Sequence, residues 1–142
     1  MGETILQAIA DHARVRVERA KGRIPLETVR ERARKLREEQ RQRGEAGFAF
    51  ERSLAGPDIG FICECKKASP SKGLIAEDFP YVEIARSYQE AGAACISVLT
   101  EPKWFLGEDR YLEEIARAVS IPCIRKDFTV DEYMIYQAKL LG

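Results

Sequence analysis

The 142-residue sequence has no excess of charge of either sign, no long apolar run and only one histidine. Its 23 basic and 23 acidic residues balance, so the net charge favours neither a nucleic-acid partner nor an anionic membrane surface. The apolar runs are too short to span a bilayer, and MGETILQAIA lacks the basic and apolar regions of a secretory signal. His12 lies in a helical pattern, where packing is the expected role. We expect a soluble cytoplasmic protein with one core and no membrane contact.

The sequence has only four cysteines, and their spacing argues against a metal site. Cys63, Cys65, Cys95 and Cys123 all fall inside predicted strands, where reduced thiols serve as small core residues. Cys63 and Cys65 form a CxC pair that could supply two zinc ligands, but no second pair or nearby histidine accompanies them. We therefore expect no bound metal.

The first third of the chain is helical and basic. Apolar residues recur at helical spacing from residue 4 to about 42, which predicts two helices separated by KGRIP. Residues 14–43 contain 12 arginines and lysines but 5 glutamates. A solvated helix face is the favoured interpretation, because the glutamates alternate with arginines and no aromatic residue is present for base stacking. Attraction of a small anionic substrate is the next interpretation.

After Phe48 the pattern alternates between strand and helix. Apolar strands are predicted in IGFICECK, AACISVLT and IPCIRKDF, and amphipathic helices in YVEIARSYQEAG, YLEEIARAVS and VDEYMIYQAKLLG. Strand starts about 30 residues apart are typical of βαβ units around a parallel sheet. The sequence predicts a helical extension over residues 1–47 and three βα units over residues 48–142.

Charged residues stand at the carboxyl ends of two of these strands. Side chains alternate across a strand, so Glu64 and Lys66 share one face, whereas Arg125 and Lys126 lie on opposite faces. Parallel α/β proteins build their sites at this end of the sheet. The alternative is a structural ion pair among Glu64, Lys66 and Lys126.

Three blocks carry a specific resemblance. FICECKKASPSKG, ISVLTEPKWFLG and IPCIRKDF, in this order and spacing, resemble the indole-3-glycerol phosphate synthase family of tryptophan biosynthesis. The resemblance implies an α/β fold of the (βα)8 TIM-barrel type. It also implies a carboxy-lyase that closes the indole ring of 1-(2-carboxyphenylamino)-1-deoxyribulose 5-phosphate with loss of carbon dioxide and water. The resemblance implies that no metal or organic cofactor is needed and that the molecule bound is this small anionic phosphorylated substrate.

The resemblance also implies roles for five residues. Lys126 matches the general acid that protonates the substrate carbonyl, and Lys66 the lysine that holds the anionic substrate and assists proton transfer. Glu64 would orient the two lysines and join the proton network. Ser69 matches a substrate-contacting loop residue, and Phe128 the apolar wall against the anthranilate ring.

The resemblance covers only the first part of a barrel. A complete (βα)8 barrel needs eight βα units and about 250 residues, whereas this sequence contains three units. The family's second catalytic glutamate, its substrate-binding asparagine and serine and its phosphate site would lie in the absent part. We expect these 142 residues to be inactive alone and to associate through open strand edges.

Two other functions stay open. One is a different phosphate-handling barrel enzyme, such as a related isomerase. The other is a non-catalytic binding module that uses the basic helices of residues 14–43, for which nucleic-acid binding with a steep salt dependence would be the sign.

Overall fold

The computed structural model describes residues 4–142, and its contacts divide the chain into two compact units. The helical unit comprises residues 4–46 with Phe128–Leu140, and the sheet unit comprises Gly47–Asp127 with Leu141–Gly142. The elements of the described residues are α1 (Ile5–Arg23), α2 (Leu26–Gln42), α3 (Ala49–Leu54), β1 (Ile62–Cys65), β2 (Ala68–Ser69), β3 (Gly73–Leu74), α4 (Tyr81–Glu90), β4 (Cys95–Leu99), α5 (Asp109–Ala118), β5 (Cys123–Lys126) and α6 (Glu132–Leu140). None of these helices combines the length and apolar character needed to cross a membrane.

Helices α1, α2 and α6 build the helical unit around a small apolar cluster. The Thr4 hydroxyl caps α1 by accepting a hydrogen bond from the Gln7 amide at 3.2 Å. Val17, Val29 and Tyr133 pack together in the cluster, so each of the three helices contributes a buried side chain. The two N-terminal helices are present as predicted. The predicted domain boundary after residue 47 stays a prediction, since α6 packs with α1 and α2.

The basic residues of α1 and α2 form ion pairs along their own helices. Arg30 lies 2.7 Å from Glu27, and Arg41 lies 3.0 Å from Glu38, each pair one helical turn apart. Exposed pairs of this kind add little stability, but they neutralise the arginines locally. This arrangement supports the interpretation of a solvated helix face.

Asp131 directly precedes α6 and makes two interactions that depend on its charge. Its carboxylate accepts hydrogen bonds from Lys21 Nζ and from the Tyr133 amide, both at 2.8 Å. The Lys21 ammonium, followed by the Tyr133 amide, holds the pKa of Asp131 below its usual value. A lowered folded-state pKa means that the ionised form contributes stability above the unfolded pKa of about 3.9, and that this contribution is lost as the pH falls through the folded pKa.

We expect Asp131→Asn to lower the free energy of unfolding of the full chain by about 1 kcal/mol near neutral pH. The difference from the unmodified chain should shrink as the pH falls through the lowered pKa of Asp131, because the carboxylate then becomes neutral in the folded state as well. Urea unfolding across this pH range measures the difference. Asp58→Asn, at an exposed position, is the matched control and should have little effect at any pH. A constant penalty at all pH values would contradict the charge-based explanation.

The sheet unit contains a three-stranded parallel sheet in the order β1-β4-β5. Helices α4 and α5 cover one face, where Cys65, Ile96 and Val98 pack against Leu112 and Ile115. The strands and helices alternate along the chain as predicted, so the fold is α/β and corresponds to part of a (βα)8 barrel. The edge strands are β1 and β5, and the expected association through these edges stays a prediction.

Three short elements, a helix and the two strands of a hairpin, were absent from the sequence prediction. Helix α3 has six residues, and β2 pairs with β3 as a two-residue antiparallel hairpin. Gly73 adopts a φ of 64° in this hairpin, a conformation that favours glycine. Segments this short have no readable apolar period, so the sequence pattern did not predict them.

Candidate active site

The strand register decides which predicted site residues share a face. Glu64 lies opposite Ser97 on β4, and Ser97 lies opposite Ile124 on β5. Two residues further along both strands, Leu99 on β4 lies opposite Lys126 on β5. Alternation therefore places Glu64, Ser97 and Lys126 on the sheet face opposite α4 and α5. We call this surface the site face.

Glu64 is the most constrained side chain of the site face. Its Oε1 lies 3.0 Å from Lys66 Nζ, and its Oε2 accepts a hydrogen bond from the Ser97 hydroxyl at 3.0 Å. The Glu64 and Lys66 side chains are about one-third exposed, at 31% and 35%. A pair at this depth still meets solvent. Ser97 was absent from the sequence prediction. The signal that could have found it is a polar residue inside an otherwise apolar predicted strand.

Lys126 stands apart from this pair. It is exposed, and within residues 4–142 no carboxylate lies in ion-pair distance of its ammonium group. The register explains the separation, because Glu64 is level with Ile124 and sits two strands away, or about 10 Å across the sheet. Of the three residues in the alternative structural ion pair, only Glu64 and Lys66 are in contact.

Ser69 lies in the hairpin that follows β1. It is 9% exposed, and its Oγ accepts a hydrogen bond from the Lys72 amide at 3.2 Å. Its hydroxyl also lies 3.5 Å from the hydroxyl of Ser71. Ser69 therefore shapes the turn, and its predicted substrate contact stays a prediction. Phe128 is half-buried and belongs to the helical unit, and its predicted role is likewise untested.

Glu101 was missed by the sequence prediction. Its side chain is fully buried, and its carboxylate accepts hydrogen bonds from the amides of Lys103, Trp104 and Phe105 at 3.1, 2.7 and 3.1 Å. A carboxylate held by three backbone amides fixes the loop that follows β4. An acidic residue directly after a continuously apolar strand was the signal that could have found it.

The cysteines of the sheet unit lie within or beside its strands. Residues 4–142 contain no group of three or more histidine, cysteine or acidic side chains that could hold an ion. Burial raises the pKa of Cys65 to about 12, which keeps this residue in the thiol form that metals bind poorly. The CxC pair therefore acts as part of the sheet, where Cys65 joins the apolar core.

Comparison with known proteins identifies the relatives of the chain. A family model described as indole-3-glycerol phosphate synthase matches residues 6–142. A protein of that name from Ruminiclostridium cellulolyticum is 50% identical over 97% of this chain and 51% of its own length. Those from Lachnoclostridium phytofermentans and Endomicrobium trichonymphae are 46% and 48% identical, over 97% of this chain in each case. The chain spans about half the length of the curated relatives it matches, 51% to 53% of each.

Proposed function

Because the chain belongs to the indole-3-glycerol phosphate synthase family, we propose that it forms the amino-terminal part of a carboxy-lyase of tryptophan biosynthesis. The complete enzyme closes the indole ring of 1-(2-carboxyphenylamino)-1-deoxyribulose 5-phosphate. Closure forms one carbon–carbon bond and releases carbon dioxide and water, which leaves indole-3-glycerol phosphate. The observation that carries the proposal is the Glu64–Lys66 pair on the same sheet face as the exposed Lys126.

In this proposal Lys126 is the general acid. The aromatic carbon attacks the substrate carbonyl, and the ammonium group donates a proton to the carbonyl oxygen as the bond forms. The absence of an ion pair within the described residues supports this role, because no carboxylate there competes with the substrate for the ammonium group.

Lys66 and Glu64 act together on the substrate in this proposal. Lys66 holds the anionic substrate, while Glu64 orients the Lys66 ammonium through the 3.0 Å contact. The Ser97 hydroxyl donates a hydrogen bond to the second carboxylate oxygen of Glu64, so the carboxylate that holds the Lys66 ammonium has a fixed orientation.

The remaining parts of the proposal concern binding and location. Ser69 contacts the substrate from the hairpin after β1, and Phe128 packs on its aromatic ring. No metal or organic cofactor takes part in the proposed reaction. We place the enzyme in the cytoplasm, and the four free thiols fit a reducing compartment.

A chimera tests the proposed function. Residues 1–142 of this chain are joined to the carboxyl-terminal portion of the Ruminiclostridium cellulolyticum relative at the aligned position. We expect indole fluorescence to rise after addition of the carboxyphenylamino-deoxyribulose phosphate. The 142-residue chain and the relative's carboxyl-terminal portion, each alone, are the controls and should be silent.

The possible outcomes separate the competing functions. A folded chimera without product would overturn the proposal, and turnover of another sugar phosphate would favour the related isomerase. Product from the 142-residue chain alone would show that the residues of this chain suffice for the reaction. Salt-dependent binding of nucleic acid by the folded chimera without turnover would favour a binding module.

A further inference from the structure

Thr100 bonds to three consecutive residues at the end of β5. Its amide donates a hydrogen bond to the Lys126 carbonyl at 3.1 Å. Its Oγ1 accepts one from Arg125 Nε at 3.1 Å and donates one to Asp127 Oδ2 at 2.8 Å. Thr100 itself is 2% exposed. One residue thus holds the backbone carbonyl of Lys126 and the side chains on both sides of it.

The neighbours of Lys126 are anchored on the face opposite to its ammonium group. The Arg125 and Asp127 side chains are 6% and 0% exposed, and alternation directs both away from the site face. The Arg125 guanidinium also donates to Asp109 Oδ1 at 2.7 Å, at the first residue of α5. The network therefore connects the end of β5 to the start of α5 through Thr100 and Arg125.

We propose that Thr100 is a positioning residue for Lys126. This inference rests on the proposed function, in which Lys126 delivers a proton. Within residues 4–142 no carboxylate pairs with the Lys126 ammonium. The contacts of Thr100 fix the backbone position from which this side chain extends. The Thr100 hydroxyl fixes the residues before and after that backbone position, and the Thr100 amide fixes its carbonyl.

Substituting Thr100 with valine or with serine tests the effect of its hydroxyl separately from the effect of its shape. Thr100→Val keeps the β-branched shape and the backbone amide but removes both side-chain hydrogen bonds. Thr100→Ser keeps the hydroxyl and loses only a methyl group. If Thr100 has a purely structural role, the kcat of each variant should change only as far as its stability changes. If Thr100 positions Lys126, kcat should fall in the variant that lacks the hydroxyl and be kept in the variant that retains it.

The test compares both variants in the chimera, after circular dichroism has shown that each is folded. We expect Thr100→Val to lower kcat by about 10-fold to 100-fold with little change in KM, because a small misplacement of a reacting group costs this much. Thr100→Ser should stay within about threefold of the parent, because it keeps the hydroxyl that makes both side-chain hydrogen bonds. An unchanged kcat in folded Thr100→Val would overturn the inference, as would an equal loss in both variants.

A second readout does not need turnover. The rate of acetylation of the Lys126 amine by acetic anhydride, relative to that of exposed Lys35, is measured by mass spectrometry in each variant. We expect the ratio to change in Thr100→Val and to be retained in Thr100→Ser. If the chimera is inactive, the labelling ratio alone tests the positioning role, so failure of the proposed function is distinguished from failure of the inference. An unchanged ratio in Thr100→Val would then overturn the inference.

Arg125→Lys replaces Thr100→Val if the valine variant does not fold. Lysine keeps the positive charge but lacks the guanidinium fork that reaches Thr100 and Asp109 together. We expect the same fall in kcat and the same change in the labelling ratio, and parent values of both would count against the inference.

Discussion

Replacing Lys126 with alanine in the chimera should lower kcat by about 10²-fold to 10⁴-fold, the range that a positioned general acid contributes. In the proposed mechanism, ring closure places negative charge on the carbonyl oxygen, and Lys126 offers the exposed ammonium at the carboxyl end of β5. Stability should change little, since the side chain is exposed and makes no ion pair within the described residues. Initial rates from indole fluorescence, with circular dichroism on the same samples, measure both quantities.

Lys126→Arg separates proton donation from charge. Arginine keeps the positive charge, but its pKa is too high for it to give up a proton at neutral pH. We expect an activity nearly as low as that of the alanine variant. Lys35→Ala removes one lysine from an exposed position on α2 and should keep the parent kcat. Substantial activity in Lys126→Arg would mean that charge alone matters, and the general-acid role would be wrong.

The site face was predictable because it depends on two local rules. Side chains alternate along a strand, and parallel strands present their carboxyl ends at one edge, so Glu64, Lys66 and Lys126 could be placed together from the sequence. Their contacts were not predictable, because a single strand does not encode its register against the next. Only the register shows that Glu64 is level with Ser97 and that Lys126 lies beyond its reach.

The support behind the site was beyond sequence reasoning for a different reason. Thr100, Asp109 and Arg125 are separated along the chain by 9 and 16 residues and meet only after the sheet and α5 have formed. Arg125 could be assigned to the opposite face by alternation, but its partners come from a loop and a helix start. Tertiary contacts of this kind have no periodicity that a sequence reveals.

Gly107 ends the loop that leads from β4 back to α5, and a side chain has no room there. A Cβ at this position would lie 2.3 Å from the Leu99 carbonyl oxygen, 2.7 Å from its carbonyl carbon and 2.8 Å from Thr100 Cα. All three are backbone atoms, so neither rotamer change nor side-chain movement relieves the overlap. The loop or the end of β4 must move, and the Gly107 amide is already bonded to the Glu101 carbonyl at 2.8 Å.

We therefore expect Gly107→Ala to destabilise the folded chimera by about 3 kcal/mol, the upper part of the usual range for overpacking. In a barrel of about 250 residues this corresponds to a fall in Tm of roughly 6–12 °C. Gly56→Ala is the matched control, because a Cβ there meets nothing within 4 Å and the backbone is not left-handed. Thermal unfolding followed by circular dichroism compares the two variants, and equal Tm values would contradict the overlap. The backbone movement that relieves the overlap displaces Thr100, so kcat should fall in Gly107→Ala even at temperatures below its Tm. Such a fall would link the shape of this loop to the position of Lys126.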